Sequence, residues 1–509
     1  MYDVVVIGSG IGGLTVADLL ARRGKKVLIV EQSGRLGGCC ASYDLDGHKF
    51  DVGAIFILYK ELYERFFGMM GLRLGDYIDM RLLDPVYDMH FRDGSSVLLP
   101  MDPVESADVI SRIAPTDRDG WLAFCTDIKR IWDASKVLVE KPFPPLERIG
   151  TPSHLARTAA SASLLRALPA LMRVLFTNQD SVNRRYLKDP KALTIVSFEN
   201  LFAGIPADRI SGIFAVMSYL SHEGYWYPRG GMGAVPEALA RIAVDAGAEI
   251  RMNTLVSRIA VQGGRATGVE LATGETVDAK VVVSNASAIP TYLDLVGRQN
   301  LPTSFAKAVA NYTLSIPAPM VYFGLSRKPE QIKSHFTVMV PPPEQLNSYW
   351  DEYYGAGLMP PIEDLPHGLI CPGMTDPELA PEGKFSLGLL SAGPYHLKYG
   401  TWDELKPAFI EEAASHLDRT ILPGVQGLIE QRDMRTPLDF ERELLLPEGA
   451  IYGLEMSLPN LGPFRPSWRS PVVRDLYLAG ASTNPGGGVP LVMLSGINAS
   501  ACIVRDNNW

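Results

Sequence analysis

Three glycines near the amino terminus have the spacing of a loop that binds a dinucleotide. Gly8, Gly10 and Gly13 form a G-x-G-x-x-G motif directly after an apolar, β-branched run at residues 4–7. Such glycines allow a tight turn, a close approach of a pyrophosphate to the backbone and close packing of the next helix on the strand. Glu31 ends the following apolar run, at the spacing of a carboxylate that binds an adenosine ribose. The stretch predicts a βαβ unit for a dinucleotide without a 2′-phosphate.

A second glycine-rich stretch follows where a simple nicotinamide domain would begin its next helix. Residues 34–38 read Gly-Arg-Leu-Gly-Gly. Arg35 can reach a phosphate, while Gly37 and Gly38 let the backbone pass close to a cofactor. This extension favours a flavin nucleotide over a nicotinamide one.

The composition limits the domain count and the classes of partner. The chain has 509 residues, 47% of them hydrophobic and 21% charged, so at least two globular domains are expected. The formal net charge of −9 gives no support for nucleic-acid binding, which needs a basic face. Five cysteines without zinc-type spacing indicate reduced thiols and no metal site. With no uninterrupted apolar run of about eighteen residues, we expect a cytoplasmic protein that does not span a membrane.

A basic segment interrupts this acidic chain. Residues 148–195 hold eight Arg and Lys residues against two Asp residues. Within it, residues 153–176 favour a helix with an apolar face. The pattern is typical of an amphipathic helix on a membrane surface, although an ordinary solvated helix gives the same pattern. We hypothesise that this segment makes the protein a peripheral membrane protein.

Residues 4–53 resemble the amino terminus of the phytoene desaturase, carotenoid cis-trans isomerase and retinol saturase family. Two later stretches resemble the same family: residues 227–233, YPRGGMG, and residues 476–490, LYLAGASTNPGGGVP. The resemblance implies an FAD-dependent oxidoreductase. It also implies a lipophilic small-molecule substrate, a long polyene or isoprenoid like a carotenoid or retinoid. Its C–C bonds would be desaturated, saturated or isomerised with the help of the redox cofactor.

The resemblance and the patterning together predict an α/β fold in two parts. One is a discontinuous, Rossmann-type FAD-binding domain, and the other is an α+β substrate-binding domain with a mixed sheet and a helical, membrane-facing part. The FAD-binding domain is assigned residues 1–75, 225–290 and 461–509, and the substrate-binding domain residues 76–224 and 291–460. The proline-rich stretch at residues 341–366 is expected to be a surface loop.

Cofactor contacts follow from the glycine motifs and from positions that resemble the family. A helix that begins at Val489, after a glycine loop, would point its partial positive charge at the reduced flavin ring. Ala481 stands where many flavoproteins carry an acid for the ribityl chain, which leaves that contact to backbone amides or water. The predicted cofactor-binding residues are Gly8, Gly10, Ile11, Gly12, Gly13, Glu31, Gln32, Arg35, Gly37, Gly38, Val256, Gly480, Ala481, Gly488 and Val489.

Catalytic side chains are predicted from the needs of hydride transfer. Hydride abstraction from an allylic carbon leaves a cation, which a carboxylate or tyrosine can stabilise or relieve of a proton. Glu223, Tyr225 and Tyr227 are the candidates and His222 is a weaker one, although all of them could equally serve only to shape a substrate tunnel.

Two other functions stay open at this point. An amine or amino-acid oxidase on the same fold would need a polar pocket with a carboxylate-binding arginine. A non-catalytic escort of prenyl groups or lipids, like the GDP-dissociation-inhibitor relatives of this fold, would have no use for intact glycines, Glu31 and Arg35. The sequence predicts neither the oligomeric state nor the direction of the redox step.

Overall fold

A parallel core of apolar strands forms the first of two seven-stranded sheets. The computed structural model describes residues 1–140, 169 and 171–509. In the first sheet, β1 (Tyr2–Ile7) lies between β2 (Val27–Val30) and β12 (Thr276–Ser284), parallel to both. The remaining strands are β9 (Glu249–Arg251), β10 (Val256–Gln262), β11 (Arg265–Leu271) and β18 (Leu476–Leu478). The order is β10-β11-β12-β1-β2-β9, with β18 also paired to β12. Strands buried on both faces need continuous apolar runs, which explains residues 4–7.

The second sheet comes from later and more scattered parts of the chain. Its strands are β6 (Tyr87–His90), β7 (Ser96–Leu99), β13 (Met320–Leu325), β14 (Phe336–Met339), β15 (His367–Ile370), β16 (Phe385–Ser391) and β17 (Ile429–Arg435). They follow the order β17-β13-β16-β15-β14-β6-β7, and only the β14–β6 pair is parallel. The sheet is therefore mixed, as predicted.

Two short strand pairs lie outside the two seven-stranded sheets. The hairpin of β3 (Ser42–Leu45) and β4 (His48–Asp51) follows the second glycine stretch. The other pair joins β5 (Met80–Leu83) to β8 (Tyr225–Pro228), which brings the YPRGGMG stretch back to the early part of the chain.

Helices cover both sheets. Those in the first half are α1 (Ile11–Ala21), α2 (Lys60–Met69), α3 (Pro103–Ile110), α4 (Arg118–Glu140), α5 (Gln179–Asn183), α6 (Pro190–Ser197), α7 (Ala215–Leu220) and α8 (Ala234–Asp245). Those in the second half are α9 (Thr303–Ala310), α10 (Pro343–Tyr349), α11 (Trp402–Arg419), α12 (Pro437–Leu444) and α13 (Val489–Asn507). A short helical turn, Ala288–Pro290, continues as the π-helix Thr291–Gly297.

One helix of the described chain, α13, is long and apolar enough to cross a membrane by length and composition. Half of its apolar window is buried inside the protein, and α13 packs on α1. Packing of this kind is that of a core helix.

The expectation of a surface loop at residues 341–366 is wrong. This stretch contains α10, which begins with Pro343 at its first position, where the missing N–H of proline costs nothing. Tyr349 and Trp350 at the end of α10 are buried and join the core on the outer face of the second sheet. The prolines therefore punctuate short helices instead of excluding the stretch from the core.

The predicted α/β fold class is confirmed by this architecture. Residues 141–168 and 170, which hold much of the basic segment, lie outside the described chain. The domain boundaries and the membrane-facing part stay predictions.

Candidate flavin site and substrate cavity

The first glycine loop is held by an asparagine that the sequence analysis did not select. Gly13 N–H donates to Asn285 Oδ1 at 2.7 Å, and Asn285 directly follows β12. A Cβ on Gly13 would lie 2.5 Å from the carbonyl oxygen of Gly8, and one on Gly12 would lie 2.9 Å from the Gly480 nitrogen. The carboxyl ends of neighbouring parallel strands meet at one edge, so the position of Asn285 after β12 was the available signal.

The second glycine stretch closes onto the first. Gly37 N–H donates to the carbonyl oxygen of Ser9 at 3.0 Å, and Gly10 and Gly37 form a parallel β-bridge. Gly37 has φ of 101°, a backbone conformation that favours glycine. The structure thus brings the two predicted glycine motifs together.

Two helices begin here without a side-chain cap. The N-cap of α1 is Gly10 and that of α13 is Gly488, and neither first turn carries an acidic residue. The first backbone N–H groups of a helix lack partners within it and attract negative charge. One such start suits a pyrophosphate and the other suits the negative side of a reduced flavin ring, so the residues present fit a flavin dinucleotide.

Glu31 lies at the end of β2 and already accepts hydrogen bonds from the protein. Its Oε2 accepts from the Ser9 N–H at 2.8 Å and the Ser9 hydroxyl at 2.7 Å, while Oε1 accepts from the Ser33 N–H at 2.8 Å. A carboxylate has about four acceptor positions, so one stays available for a ribose hydroxyl. The assignment of Glu31 to the ribose stays a prediction.

Glu31→Ala is expected to weaken the retention of FAD, because the adenosine hydroxyls lose a charge-assisted acceptor worth about 1.5 to 3 kcal/mol. The ratio of flavin to protein absorbance after dilution and gel filtration measures this loss. The control is the free energy of unfolding of the parent and of Glu31→Ala, both without cofactor, since the Ser9 and Ser33 amides also lose an acceptor. Equal flavin retention by both proteins would contradict the assignment.

Arg35 is engaged differently from the prediction. Its Nη2 donates to Glu443 Oε2 of α12 at 2.7 Å, and Gln32 Nε2 donates to the Glu443 carbonyl oxygen at 3.1 Å. Arg435 also pairs with the Glu443 carboxylate. The ion pair competes with the predicted phosphate contact.

A cavity of about 390 Å³ runs past Arg35 to Gly233 in the YPRGGMG stretch.

A buried arginine fixes the third glycine loop. Arg465 is 2% exposed and donates mainly to backbone carbonyl oxygens: from Nε to Thr483 at 2.9 Å, and from Nη2 to Ala481 at 2.5 Å and Leu454 at 3.1 Å. Nη1 donates to the carbonyl oxygen of Asn460 at 3.2 Å. Burial without a carboxylate partner lowers the pKa of Arg465 to about 10. This side chain ties the predicted flavin position Ala481 to residues 454–460.

The structure does not bring the three predicted catalytic residues into one group. Glu223 accepts from the Tyr219 hydroxyl at 2.8 Å and lies 3.7 Å from Lys129 and 4.0 Å from Lys136, so it belongs to a partly exposed ionic cluster. His222, the weaker candidate, is partly buried, with Nδ1 2.7 Å from the carbonyl oxygen of Met101, and desolvation lowers its pKa.

Tyr225 and Tyr227 each bind a buried carboxyl group that the sequence analysis missed. The Tyr225 hydroxyl donates to Glu199 Oε1 at 2.6 Å, and the Tyr227 hydroxyl donates to Asp51 Oδ2 at 2.8 Å. Burial raises the pKa of Glu199 to about 8 and that of Asp51 to about 7. Asp51 Oδ1 also accepts from the Met232 N–H at 2.9 Å. These carboxyls can hold protons near neutral pH, whereas Glu223 lies among lysines.

An apolar cavity lies against the inner face of the second sheet. Phe336, Val338 and Leu390 line it from the sheet, and Phe198 and Tyr452 line it from outside the sheet. The cavity is narrow, about 30 Å³, so a long ligand requires these side chains to move apart. The Tyr452 carbonyl oxygen lies 2.4 Å from where a Cβ on Gly487 would stand, which places the cavity beside the loop before α13.

Within the described ranges, no group of three or more His, Cys, Asp or Glu side chains is placed to hold a metal ion.

Comparisons with known proteins place this arrangement in a family. Residues 11–329 match the family described as flavin containing amine oxidoreductase. A zeta-carotene-forming phytoene desaturase from Myxococcus xanthus is 29% identical over 495 residues, which are 97% of this chain and 92% of the relative. A 4,4'-diapolycopene oxygenase from a Methylomonas species is 30% identical over 513 residues, which cover 99% of this chain and 98% of the relative. The solved structure of cyclohexylamine oxidase from Brevibacterium oxydans shares the fold, with a TM-score of 0.60 and 16% identity over all of both chains.

The family match extends over more than half of the chain, and the relatives extend over nearly all of it. The predictions of FAD as the cofactor and of an FAD-dependent oxidoreductase are confirmed, as is the family resemblance on which they depended. The chain belongs to the flavin containing amine oxidoreductases, on the side of that family that includes the phytoene desaturases.

Proposed function

We propose that this enzyme acts on the C–C bonds of a long apolar polyene of the isoprenoid type, by desaturation, saturation or redox-assisted isomerisation. The apolar lining of the cavity beside the loop before α13 carries the proposal, because a hydrocarbon chain that parts these side chains would lie next to the predicted flavin face. Burial of such a chain is favourable by about 25 cal/mol per Å². The named relatives support the same substrate class, since they form zeta-carotene from phytoene or oxygenate diapolycopene.

The residues of this chain have separate tasks in that reaction. Bound FAD supplies the transfer of hydride. The glycine loops and the uncapped starts of α1 and α13 hold and orient it. The aromatic side chains of Phe198, Phe336 and Tyr452 exclude water from the cavity. The Tyr225 and Tyr227 hydroxyls, each bound to a buried carboxyl, are the groups placed to hold or move a proton.

The test is product analysis of membranes from cells that make the enzyme and are fed candidate polyenes. We expect a product with a changed number of conjugated double bonds, or a geometric isomer, seen by its absorption spectrum and mass. Gly487→Val is the matched negative, because its side chain would collide with the Tyr452 carbonyl oxygen. If no polyene is altered by the parent enzyme, the proposal is wrong.

The amine oxidase alternative has less support. A soluble amine or amino acid needs charged or strongly polar partners, whereas no Arg, Lys, Asp or Glu of the described chain lines this cavity. A non-catalytic escort is also disfavoured, because the chain keeps the glycine motifs and the Glu31 carboxylate of a flavin site. Such an escort would purify as a colourless protein. Release of hydrogen peroxide with simple amines would reverse this preference.

We also propose that the enzyme docks peripherally on the cytoplasmic face of a membrane, because a long polyene has negligible solubility in water. Met172 is 44% exposed and Phe176 is 68% exposed, on either side of the basic residue Arg173. Exposed apolar side chains beside a basic one suit an anionic lipid surface. Arg157 and Arg166, which the sequence analysis assigned to the same helix, lie outside the described chain.

Replacement of Arg157, Arg166 and Arg173 by Glu is expected to reduce co-sedimentation with anionic vesicles, because each basic residue contributes about 1 kcal/mol near such a surface. Binding of the parent should weaken as salt rises without vanishing, since apolar contacts are not screened. Flavin content is the control and should not change. Equal sedimentation of the triple variant would assign these arginines to an ordinary solvated helix.

A further inference from the structure

A buried carboxyl group directly follows Phe198, one of the side chains that line the apolar cavity. Glu199 is 1% exposed, and its Oε1 accepts hydrogen bonds from the hydroxyls of Tyr87 at 2.9 Å and Tyr225 at 2.6 Å. Its Oε2 has no hydrogen-bond partner within the described chain. A buried polar atom without a partner costs about 1 to 3 kcal/mol, so this atom needs a ligand or a solvent molecule.

The side chains around this carboxyl contact the cavity wall. The Tyr87 ring packs edge-on against Phe198 at 4.7 Å and lies 5.6 Å from the Phe336 ring, and both phenylalanines line the cavity. The Tyr225 ring stacks on Phe56 at 4.3 Å. Glu199 thus forms a polar position at the back of an apolar, aromatic wall.

We propose that Glu199, held by Tyr87 and Tyr225, binds an oxygen atom at one end of the substrate. The substrate is then a polyene with a terminal hydroxyl or carbonyl group and not a pure hydrocarbon. This assignment rests on the polyene function proposed above and adds the end group. A hydrocarbon has no acceptor for a hydrogen bond from the protonated Oε2 of Glu199, whereas a hydroxyl or carbonyl oxygen accepts one.

Burial keeps the Glu199 carboxyl protonated, so that it can donate this hydrogen bond. It raises the pKa of Glu199 to about 8, against the opposing effect of the two tyrosine hydrogen bonds. The titratable groups that face Glu199 are the phenols of Tyr225 and Tyr87, and burial raises both of their pKa values well above the usual range. Since Oε1 already accepts two hydroxyls, the carboxyl proton at neutral pH lies on Oε2, from which it can be donated to a ligand.

Binding of a polyene alcohol and of the hydrocarbon of equal length to the FAD-loaded enzyme tests the assignment. Quenching of protein fluorescence gives the Kd of each. Near neutral pH we expect the alcohol to bind about tenfold more tightly, the equivalent of one buried hydrogen bond. The preference should fade as pH rises through the Glu199 pKa of about 8, because an ionised carboxyl has no proton to donate.

Three variants separate this role from a structural one. Glu199→Gln keeps an amide donor, so the preference should persist but lose its pH dependence. Glu199→Leu removes the donor, and the two polyenes should then bind equally. Asp88→Asn is the matched control: Asp88 is a buried neighbour of Tyr87 in β6 that points to the other face of the sheet and pairs with His90 at 3.2 Å. It should keep both the preference and its pH dependence.

Equal binding of the two polyenes by the parent, with product still formed from the hydrocarbon, overturns the end-group assignment and leaves the proposed function standing. A preference that survives in Glu199→Leu overturns it as well. If Glu199→Leu does not fold, the pH profile of Glu199→Gln decides, because a profile like that of the parent overturns the assignment. Failure of the parent to bind either polyene overturns both proposals.

Discussion

Gly13→Ala is expected to yield a protein without the yellow colour of bound FAD. The added methyl would lie 2.5 Å from the carbonyl oxygen of Gly8 and 3.1 Å from side-chain atoms of Val6 and Asn285. Strand β1, helix α1 and the loop after β12 meet at this point, so relief requires backbone movement, and overpacking of this kind costs about 1 to 3 kcal/mol. Movement of α1 also displaces the N–H groups that face the cofactor. Flavin content after purification measures the effect.

Gly68→Ala provides the matched control for that substitution. Gly68 lies in α2, and a Cβ there would meet nothing within 4 Å. Alanine favours a helix over glycine by about 1 kcal/mol, so this variant should bind FAD like the parent and unfold at the same or a higher temperature. Full flavin occupancy in Gly13→Ala would contradict the close packing on which the cofactor site depends.

Arg465→Leu is expected to destabilise the enzyme by about 3 to 5 kcal/mol, because several buried carbonyl oxygens lose their donor and each such loss costs about 1 to 3 kcal/mol. The substitution leaves the carbonyl oxygens of Ala481, Thr483 and Leu454 buried without their donor. Because Ala481 and Thr483 belong to the loop after Gly480, FAD should also be held less tightly. Urea unfolding of the holoenzyme and flavin release on dilution are the two measurements.

Two comparisons separate the role of Arg465 from a general effect of charge. Arg465→Lys keeps the positive charge but not the planar fork of donors, so its loss should fall between the parent and the leucine variant. Arg474→Leu removes an exposed arginine whose Nη2 donates to the Gly263 carbonyl oxygen at 3.1 Å, and it should cost less than about 1 kcal/mol. Similar losses for the two leucine variants would show that Arg465 does not organise this loop.

The part of the fold that sequence patterning predicted best is the part built from local signals. β1, α1 and β2 are adjacent in the chain, and their apolar runs and glycines report burial directly. The predicted loop at residues 341–366 failed because proline is compatible with the first position of a helix, as Pro343 in α10 shows. Composition alone does not distinguish these two uses of proline.

Only the backbone part of the site, which consists of the glycine loops, could be predicted from the sequence. The glycine loops follow from spacing, but the partners that fix them, Asn285 and Arg465, are brought in by tertiary packing. The same holds for Glu199, which stands 112 residues from Tyr87 and 26 from Tyr225 in the chain. A single glutamate in an apolar stretch gives no sign of whether it is exposed or buried. Tyr225 was selected for its neighbours in sequence, while its carboxyl partner required the fold.

A single-turnover reaction of the purified, FAD-loaded enzyme with a polyene in vesicles, without oxygen, tests the central claim most directly. One sample starts with oxidised flavin and a second with reduced flavin, so that desaturation, saturation and isomerisation are all detectable by the mass and spectrum of the product. The account predicts an altered polyene in at least one sample, in an amount up to that of the bound flavin where the change is a desaturation or saturation, and no product from putrescine or cyclohexylamine. Conversion of either amine together with unchanged polyene in both samples would contradict it.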